Sequence, residues 1–273
     1  MWQSVVMGLV LGVAMAVGGY WKQALDRSGA IAAAIVGSLI FVFGGWRWGL
    51  LLVAFFVASS ALSFVNPERK QQVAAEKFDK GSRRDAGQVL ANGGWVALLA
   101  LLSLTIQDDW LFPAVVGALA TVTADTWATE LGTLSTARPR LITSGQPVPA
   151  GTSGGISALG SAAALAGAWF IGAVALLLTW VPQSDVLSFS PAWLLALAAI
   201  SGVAGAMFDS LLGATVQAIH WCPRCQSETE RAVHRCGTAT HPLRGLAWLD
   251  NDMVNFLASV VGSLVAVALA LQL

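Results

Sequence analysis

TVTADTWATELG, residues 121–132, closes a long apolar run and decides how the chain is read. The run before it reads as a membrane helix. Its end carries two carboxylates, Asp125 and Glu130, with hydroxyls at Thr121, Thr123, Thr126 and Thr129. At helical spacing Thr121, Asp125 and Thr129 share one face, and Thr126 and Glu130 form the neighbouring row. A charged side chain deep in hydrocarbon costs roughly 2.5–3.5 kcal/mol on insertion scales, so such groups pair with partners or serve a function. The spacing therefore makes Asp125 and Glu130 one half of a candidate active site inside a lipid-embedded scaffold.

The whole chain agrees with a membrane reading. Its 273 residues are 56% hydrophobic and 11% charged, with mean hydropathy +0.69, where a soluble domain is nearer a quarter charged. The formal net charge is zero, which names no polyanionic partner and gives no sign of nucleic acid binding. The first apolar run, residues 2–20, lacks a basic leader and a cleavage pattern, and reads as a retained helix. The expected fold is an all-α polytopic membrane protein of about eight transmembrane helices, forming a single domain over residues 1–273. The spans are drawn at 2–20, 30–46, 48–65, 88–106, 111–132, 154–180, 192–214 and 252–271, each long enough for a hydrocarbon core of ~30 Å. Spans two and three are separated only by Trp46, Arg47 and Trp48.

Lys and Arg set the orientation. Lys22, Arg27, Arg69, Lys70, Lys77, Lys80, Arg83, Arg84, Arg138, Arg140, Arg224, Arg231, Arg235 and Arg244 fall in connections on one side if there are eight spans. The other connections carry Arg47 against Asp108, Asp109 and Asp185, acids that read as solvated. Basic loops are then cytoplasmic and both termini outside. Trp21, Trp221 and Trp248 mark one interface; Trp2, Trp46, Trp48, Trp110, Trp180 and Trp193 mark the other. The unusual polar residues converge on the cytoplasmic ends: Asp125, Glu130, Asp209, Ser210, Asp250, Asn251, Asp252, Asn255, Asn66 and Lys70, with Arg84, Gln88 and Asn92 on one helical face.

Four groups of residues carry chemistry. The acidic helix ends suit an Mg²⁺ site for a nucleotide or diphosphate, since this ion is held by one or two carboxylates plus phosphates. The plainer reading is interfacial carboxylates bonded to Thr, Ser or Arg. Gly202, Gly205, Asp209 and Gly213 form a stripe of small residues that lets helices approach closely, which would turn Asp209 toward protein. The glycine-rich turn Gly151, Thr152, Ser153, Gly154 and Gly155 opens span six and suits an anion, or is an ordinary capped loop. The basic loop 67–88 satisfies the positive-inside pattern, and within it Lys70, Arg83 and Arg84 are candidate phosphate ligands. Lys77 and Lys80 read as solvated or facing anionic lipid. Finally, the inserted loop 220–245 holds Cys222, Cys225, His234, Cys236 and His241. The first four supply a structural Zn²⁺ ligand set; the alternative is three free thiols.

The motifs ADTWATELG (124–132), LITSGQPVPAGTSGGISALG (141–160), FDSLLGATVQ (208–217), WLDNDMVNF (248–256) and RRDAGQVLANGG (83–94) together resemble a widespread family of integral membrane proteins. Its best-understood members are the phytyl-phosphate kinases of plastids and cyanobacteria. The resemblance spans about residues 66–260. It implies an enzyme that transfers a phosphoryl group from a nucleoside triphosphate, CTP or ATP, to phytyl, geranylgeranyl or a related isoprenoid monophosphate. The membrane would be a bacterial inner membrane or a plastid membrane, with the site on its cytoplasmic face. On this reading Asp125, Asp209 and Asp252 hold Mg²⁺. Arg84, Lys70 and the Gly151–155 amides hold phosphates, Gln88 belongs to the same phosphate- and nucleotide-binding set, and Glu130, Asn92 and Asn255 orient these groups. A homodimer is compatible with it. The alternatives are a cytidylyltransferase forming a CDP-lipid and a membrane transporter.

Overall fold

The computed structural model describes residues 2–63, 65, 66, 68, 70, 73, 76–80, 83–181 and 189–273; Arg69 and Asp185, named above, lie outside the described residues. The protein is mostly helical. Among the described residues the long helices are α1 (Trp2–Trp21), α2 (Arg27–Leu39), α3 (Gly45–Ser63), α4 (Ala86–Leu102), α5 (Leu111–Gly132), α6 (Ala158–Thr179), α7 (Trp193–Thr215) and α8 (Asn251–Ala270). A π-helical turn, Ile40–Gly44, joins α2 to α3. Among the described residues, five stretches are long and apolar enough to cross a membrane: Arg27–Ser63, Leu111–Gly132, Ala158–Thr179, Trp193–Thr215 and Asn251–Ala270. Val5–Trp21 and Ala86–Leu102 are shorter apolar helices.

The Arg27–Ser63 stretch doubles back. Gly45 has φ +82°, a left-handed conformation that only glycine adopts at little cost. Beyond it, Phe41 packs on Gly49, Val36 and Leu52 both face Gly93, and Leu25 and Phe56 both face Gly19. The reversal therefore falls just before Trp46, with the π turn absorbing the change of direction. Trp48 is buried rather than set in an interfacial belt. Arg47 is also buried and donates to the Val181 carbonyl at 2.5 Å. Trp2, Trp180 and Trp193 are exposed at one end of the helices, and Trp21 and Trp248 at the other.

The core is centred on α5, which is buried at Leu111 and continuously from Pro113 to Ala124. Small residues make this possible. Thr121 returns its hydroxyl to the Gly117 carbonyl at 2.9 Å, so it needs no outside partner. Gly205 of α7 and Gly262 of α8 both press on Thr121 with no room for a Cβ. The predicted small-residue stripe of α7 thus packs against α5, and Asp209 continues it toward the end of the helix.

The all-α expectation is corrected by two small sheets in the connections. β1 (Arg140–Leu141) pairs antiparallel with β2 (Gly155–Ile156). In the Cys/His loop, β3 (Ile219–Cys222) lies between β4 (Ser227–Thr229) and β5 (His241–Arg244), both antiparallel to it. The reason is local: short segments between turn residues, too short for a stable helix, satisfy their backbone groups by pairing. Their turns include left-handed Gln226, Gly237 and Gly154.

Gly262→Leu would drive a side chain into Thr121 and the Gly117 carbonyl. It should cost about 1–3 kcal/mol, read as a lowered melting temperature of the detergent-solubilised protein. Leu264→Ala, on an exposed position of the same helix, should leave that temperature nearly unchanged.

Candidate active site

A cavity of about 810 Å³ opens where the C-terminal ends of α5 and α7 meet the N-terminal ends of α4 and α8. It is lined by Asp125, Glu130, Asp209, Asp252, Lys70, Arg84, Gln88, Asn92, Asn255 and the whole 151–155 turn. Residues scattered over 185 positions of sequence are brought to one chamber, because each helix presents the same polar end to it.

Asp125 and Asp209 are the inner carboxylates. Asp209 Oδ2 is buried and has no hydrogen-bond partner among the described residues. Asp125 and Glu230 are near enough to act on it electrostatically. A buried carboxylate oxygen without a donor is costly, and a hard divalent cation is what such a donor set suits. The residues present therefore fit Mg²⁺.

Asp252 lines the same cavity, and its Oδ1, like Asp209 Oδ2, is buried with no hydrogen-bond partner among the described residues. Its Oδ2 is bonded to Lys80, and Lys80 also reaches Asp85 at 2.8 Å. Lys80 is therefore a wall residue, not a solvated or lipid-facing one. Burial pulls its ammonium pKa down, but the two carboxylates outweigh this and hold it above its ordinary value. Asp85 and Asp250 are helix caps: Asp85 forms a capping box with Gln88 at the start of α4, and Asp250 accepts from the Met253 amide at 2.9 Å. Gln88 is thus committed in part to the cap. Lys80 ties the starts of α4 and α8 together.

Lys70 forms an ion pair with Glu130 at 2.6 Å and donates to the Leu62 carbonyl at 2.5 Å. Ser63 donates to the other Glu130 oxygen at 2.6 Å. Glu130 is consequently a holder of Lys70. Arg84 is anchored by its backbone, with its amide on the Ala24 carbonyl and its carbonyl accepting from Asp26. Its guanidinium lies over the Phe55 and Phe56 rings and donates to Ser60 at 2.7 Å. Arg83 is exposed and does not line the cavity; its nearest partner is the Leu25 carbonyl at 3.4 Å. It is corrected from the phosphate set.

The glycine turn lies beside α7, with Gly154 against Ala214 and φ +81°. It does not itself start the helix. Ser157 caps α6, accepting from the Gly160 amide at 3.1 Å, so the turn precedes the helix start. The Thr152 and Gly155 amides are spent within it.

The Cys/His loop supplies residues that its charge pattern gave no reason to single out. Glu230 and His220 line the cavity. Gln217 donates to Glu230 at 3.0 Å, and the Asp79 amide does so at 3.3 Å. The loop docks on residues 76–80: the Lys77 carbonyl accepts the Glu230 amide at 2.9 Å, and Arg231 Nε donates to the Phe78 carbonyl at 2.7 Å. Lys77 is itself buried and donates to the Glu228 carbonyl, so its solvated reading is also corrected. At the loop's far end Cys222, Cys225, His234 and Cys236 bring one ligand atom each within 4.8 Å of the others. His241 lies in β5, outside that group.

Burial pushes Glu230 from an ordinary 4.5 up to about 7; its hydrogen bonds oppose the shift and the Asp79 charge adds to it. Between those pH values the folded state keeps a proton that the unfolded state has released. Stability therefore falls as pH rises from about 4.5 to about 7 and then levels. Asp79 and Asp209 are the acids that face Glu230. Replacing Glu230 by Gln should remove a slope of up to ~1.4 kcal/mol per pH unit, measured as melting temperature against pH for both proteins.

Comparison with known proteins places this architecture. The model of the family described as "Integral membrane protein DUF92" matches residues 10–263. The chain is 34% identical over 276 residues to Protein PGR of Arabidopsis thaliana, covering 94% of this chain and 93% of that one. It is 30% identical over 246 residues to an uncharacterized membrane protein of Methanocaldococcus jannaschii, covering 90% and 86%. It is 25% identical over 275 residues to Protein VTE6, chloroplastic, of Arabidopsis thaliana, covering 97% and 71%. No solved structure matches the chain. With a polar cavity at one end of apolar helices and a family match over nearly its whole length, the chain belongs to the DUF92 family of integral membrane proteins.

Proposed function

We propose that this protein is an Mg²⁺-dependent kinase of prenyl monophosphates, phytyl or geranylgeranyl phosphate being the substrate class. It would use CTP or ATP at the cytoplasmic face of the membrane. The observation that carries the reading is the cavity itself, where the orphaned Asp209 carboxylate and three cations, Lys70, Lys80 and Arg84, converge. Both substrates of such a kinase are phosphate anions, and a site for them needs positioning and charge neutralisation more than covalent chemistry. The likeness to Protein VTE6, chloroplastic, and the resemblance of the motifs to phytyl-phosphate kinases point the same way. The reading takes the helices as about eight spans with both termini outside, the Arg27–Ser63 stretch contributing two arms.

In the reaction an oxygen of the lipid monophosphate attacks the γ-phosphorus of the nucleotide. The bond from that phosphorus to the β,γ-bridging oxygen breaks, and the nucleoside diphosphate leaves with the electron pair. The attacking phosphate is already anionic, so no side chain need remove a proton. Asp125 and Asp209 would hold Mg²⁺, which when bound supplies charge neutralisation between phosphates. Arg84 presents a guanidinium held by Ser60 and two aromatic faces, ready to pair with phosphate oxygens. Lys70, oriented by Glu130, and Lys80, oriented by Asp85 and Asp252, set cations on two sides of the chamber. The prenyl chain would lie among the apolar helices.

The test is a product assay on the detergent-purified protein with geranylgeranyl monophosphate, Mg²⁺ and nucleotide labelled at the γ-phosphate. Labelled lipid diphosphate is the expected product. Pyrophosphate release with a CDP-lipid would overturn the kinase in favour of a cytidylyltransferase, and no lipid product across prenyl phosphates would overturn both. Asp209→Asn should fold and insert normally yet lose roughly 100- to 1,000-fold in turnover, the scale of one preorganised contact to developing charge.

A further inference from the structure

The kinase reading leaves the Cys/His loop unused, and the loop has the geometry of a metal centre. Zn–S of about 2.3 Å and Zn–N of about 2.0–2.1 Å set tetrahedral edges near 3.8 Å between sulfurs and near 3.6 Å between sulfur and nitrogen. Cys222 Sγ lies 3.7 Å from Cys236 Sγ, and His234 Nδ1 lies 3.3 Å from Cys236 Sγ. The sulfur separation is far beyond the ~2.05 Å of a disulfide. His234 is only 2% exposed, and Nδ1 is the ring nitrogen that meets the thiols. A neutral imidazole nitrogen and three thiols that converge in this way are the donor types a structural Zn²⁺ takes. The Cys225 amide points at Cys222 Sγ, at 3.5 Å, as amides do toward a ligating thiolate. Left-handed Gln226 and Gly237 turn the chain directly after Cys225 and Cys236.

The position of this centre gives it a consequence. Residues 226–233 run between the second and third ligands. The middle of that segment is the part that docks on residues 76–80 and sets Glu230 and Arg231 in the cavity wall. Arg244, at the end of β5, ties the same sheet to α7 through the Gly213 carbonyl at 2.6 Å. We propose that Cys222, Cys225, His234 and Cys236 bind one Zn²⁺ that clamps both ends of this segment and so fixes Glu230 and Arg231 in the site. All four positions of the ion are filled by protein, so its role is structural. The importance of this clamp for turnover rests on the kinase reading; metal binding and the docking do not.

The experiment measures zinc per chain in protein purified in detergent without chelator, for the wild type, Cys225→Ser and Glu230→Gln. Cys225 is exposed, so its replacement disturbs packing least. The expected result is near-stoichiometric zinc in the wild type and Glu230→Gln, and background zinc in Cys225→Ser. Cobalt in place of zinc should give the absorption of a tetrahedral thiolate complex, a readout that needs no variant to fold. Wild-type protein with neither zinc nor the cobalt spectrum would overturn the site. Hydrogen exchange then tests the clamp: metal removal should accelerate exchange in residues 226–233 and 76–80 while α5 stays protected. Unchanged protection of residues 226–233 would overturn the clamp. These measurements require no substrate, so a failed kinase assay and a failed zinc site are told apart.

Discussion

Close packing around α5 is the constraint on which the rest depends. Its buried run is surrounded by α6, α7 and α8, and Gly205 and Gly262 allow the approach at Thr121. A helix enclosed in this way cannot turn its polar last turns to lipid or water. Asp125 and Glu130 must be accommodated inside the protein, and the cavity is the result. Isolated charges there would be prohibitive. The connections answer with Lys70 on Glu130 and Lys80 on Asp252, while Arg84 is held beside them over two rings. Helices thus contribute the carboxylates, and the segments before α4 contribute the cations.

The two paired carboxylates and the two inner ones behave differently. Glu130 has both oxygens engaged, by Lys70 and Ser63, while Asp252 meets Lys80 through one oxygen. Asp209 Oδ2 and Asp252 Oδ1 are buried with no donor among the described residues, and Asp209 has no lysine partner there. The chamber holds the cations Lys70, Lys80 and Arg84.

The outer wall comes from parts of the chain that are not membrane helices. The glycine turn packs on the end of α7, and the Cys/His sheet seats Glu230 against Gln217 and the backbone of residues 77–79. These pieces are short, so their order depends on turn conformations, on backbone pairing and on contacts with the helices. Burial of Glu230 links the state of this wall to pH.

Hydropathy and the spacing of charge determined the membrane class, most helix positions, and the shared end at which Asp125, Asp209, Asp252, Arg84 and Asn92 meet, because lipid forbids scattered charge and so leaves a readable pattern. The spacing of Cys222, Cys225, His234 and Cys236 likewise marked a candidate ligand set, and the structure brings the four together. Tertiary structure alone decided which carboxylates are paired. It put Lys80 and Lys77 in the protein rather than in solvent, left Arg83 outside the cavity, buried Trp48 and brought in Glu230 and His220. Those outcomes hang on contacts between residues as far apart as Lys80 and Asp252. A basic loop looks the same in sequence whether its charges meet water or a carboxylate. The turn at Gly45 and the small sheets were hidden for a related reason: a left-handed residue and a short paired strand leave no hydrophobic period to read.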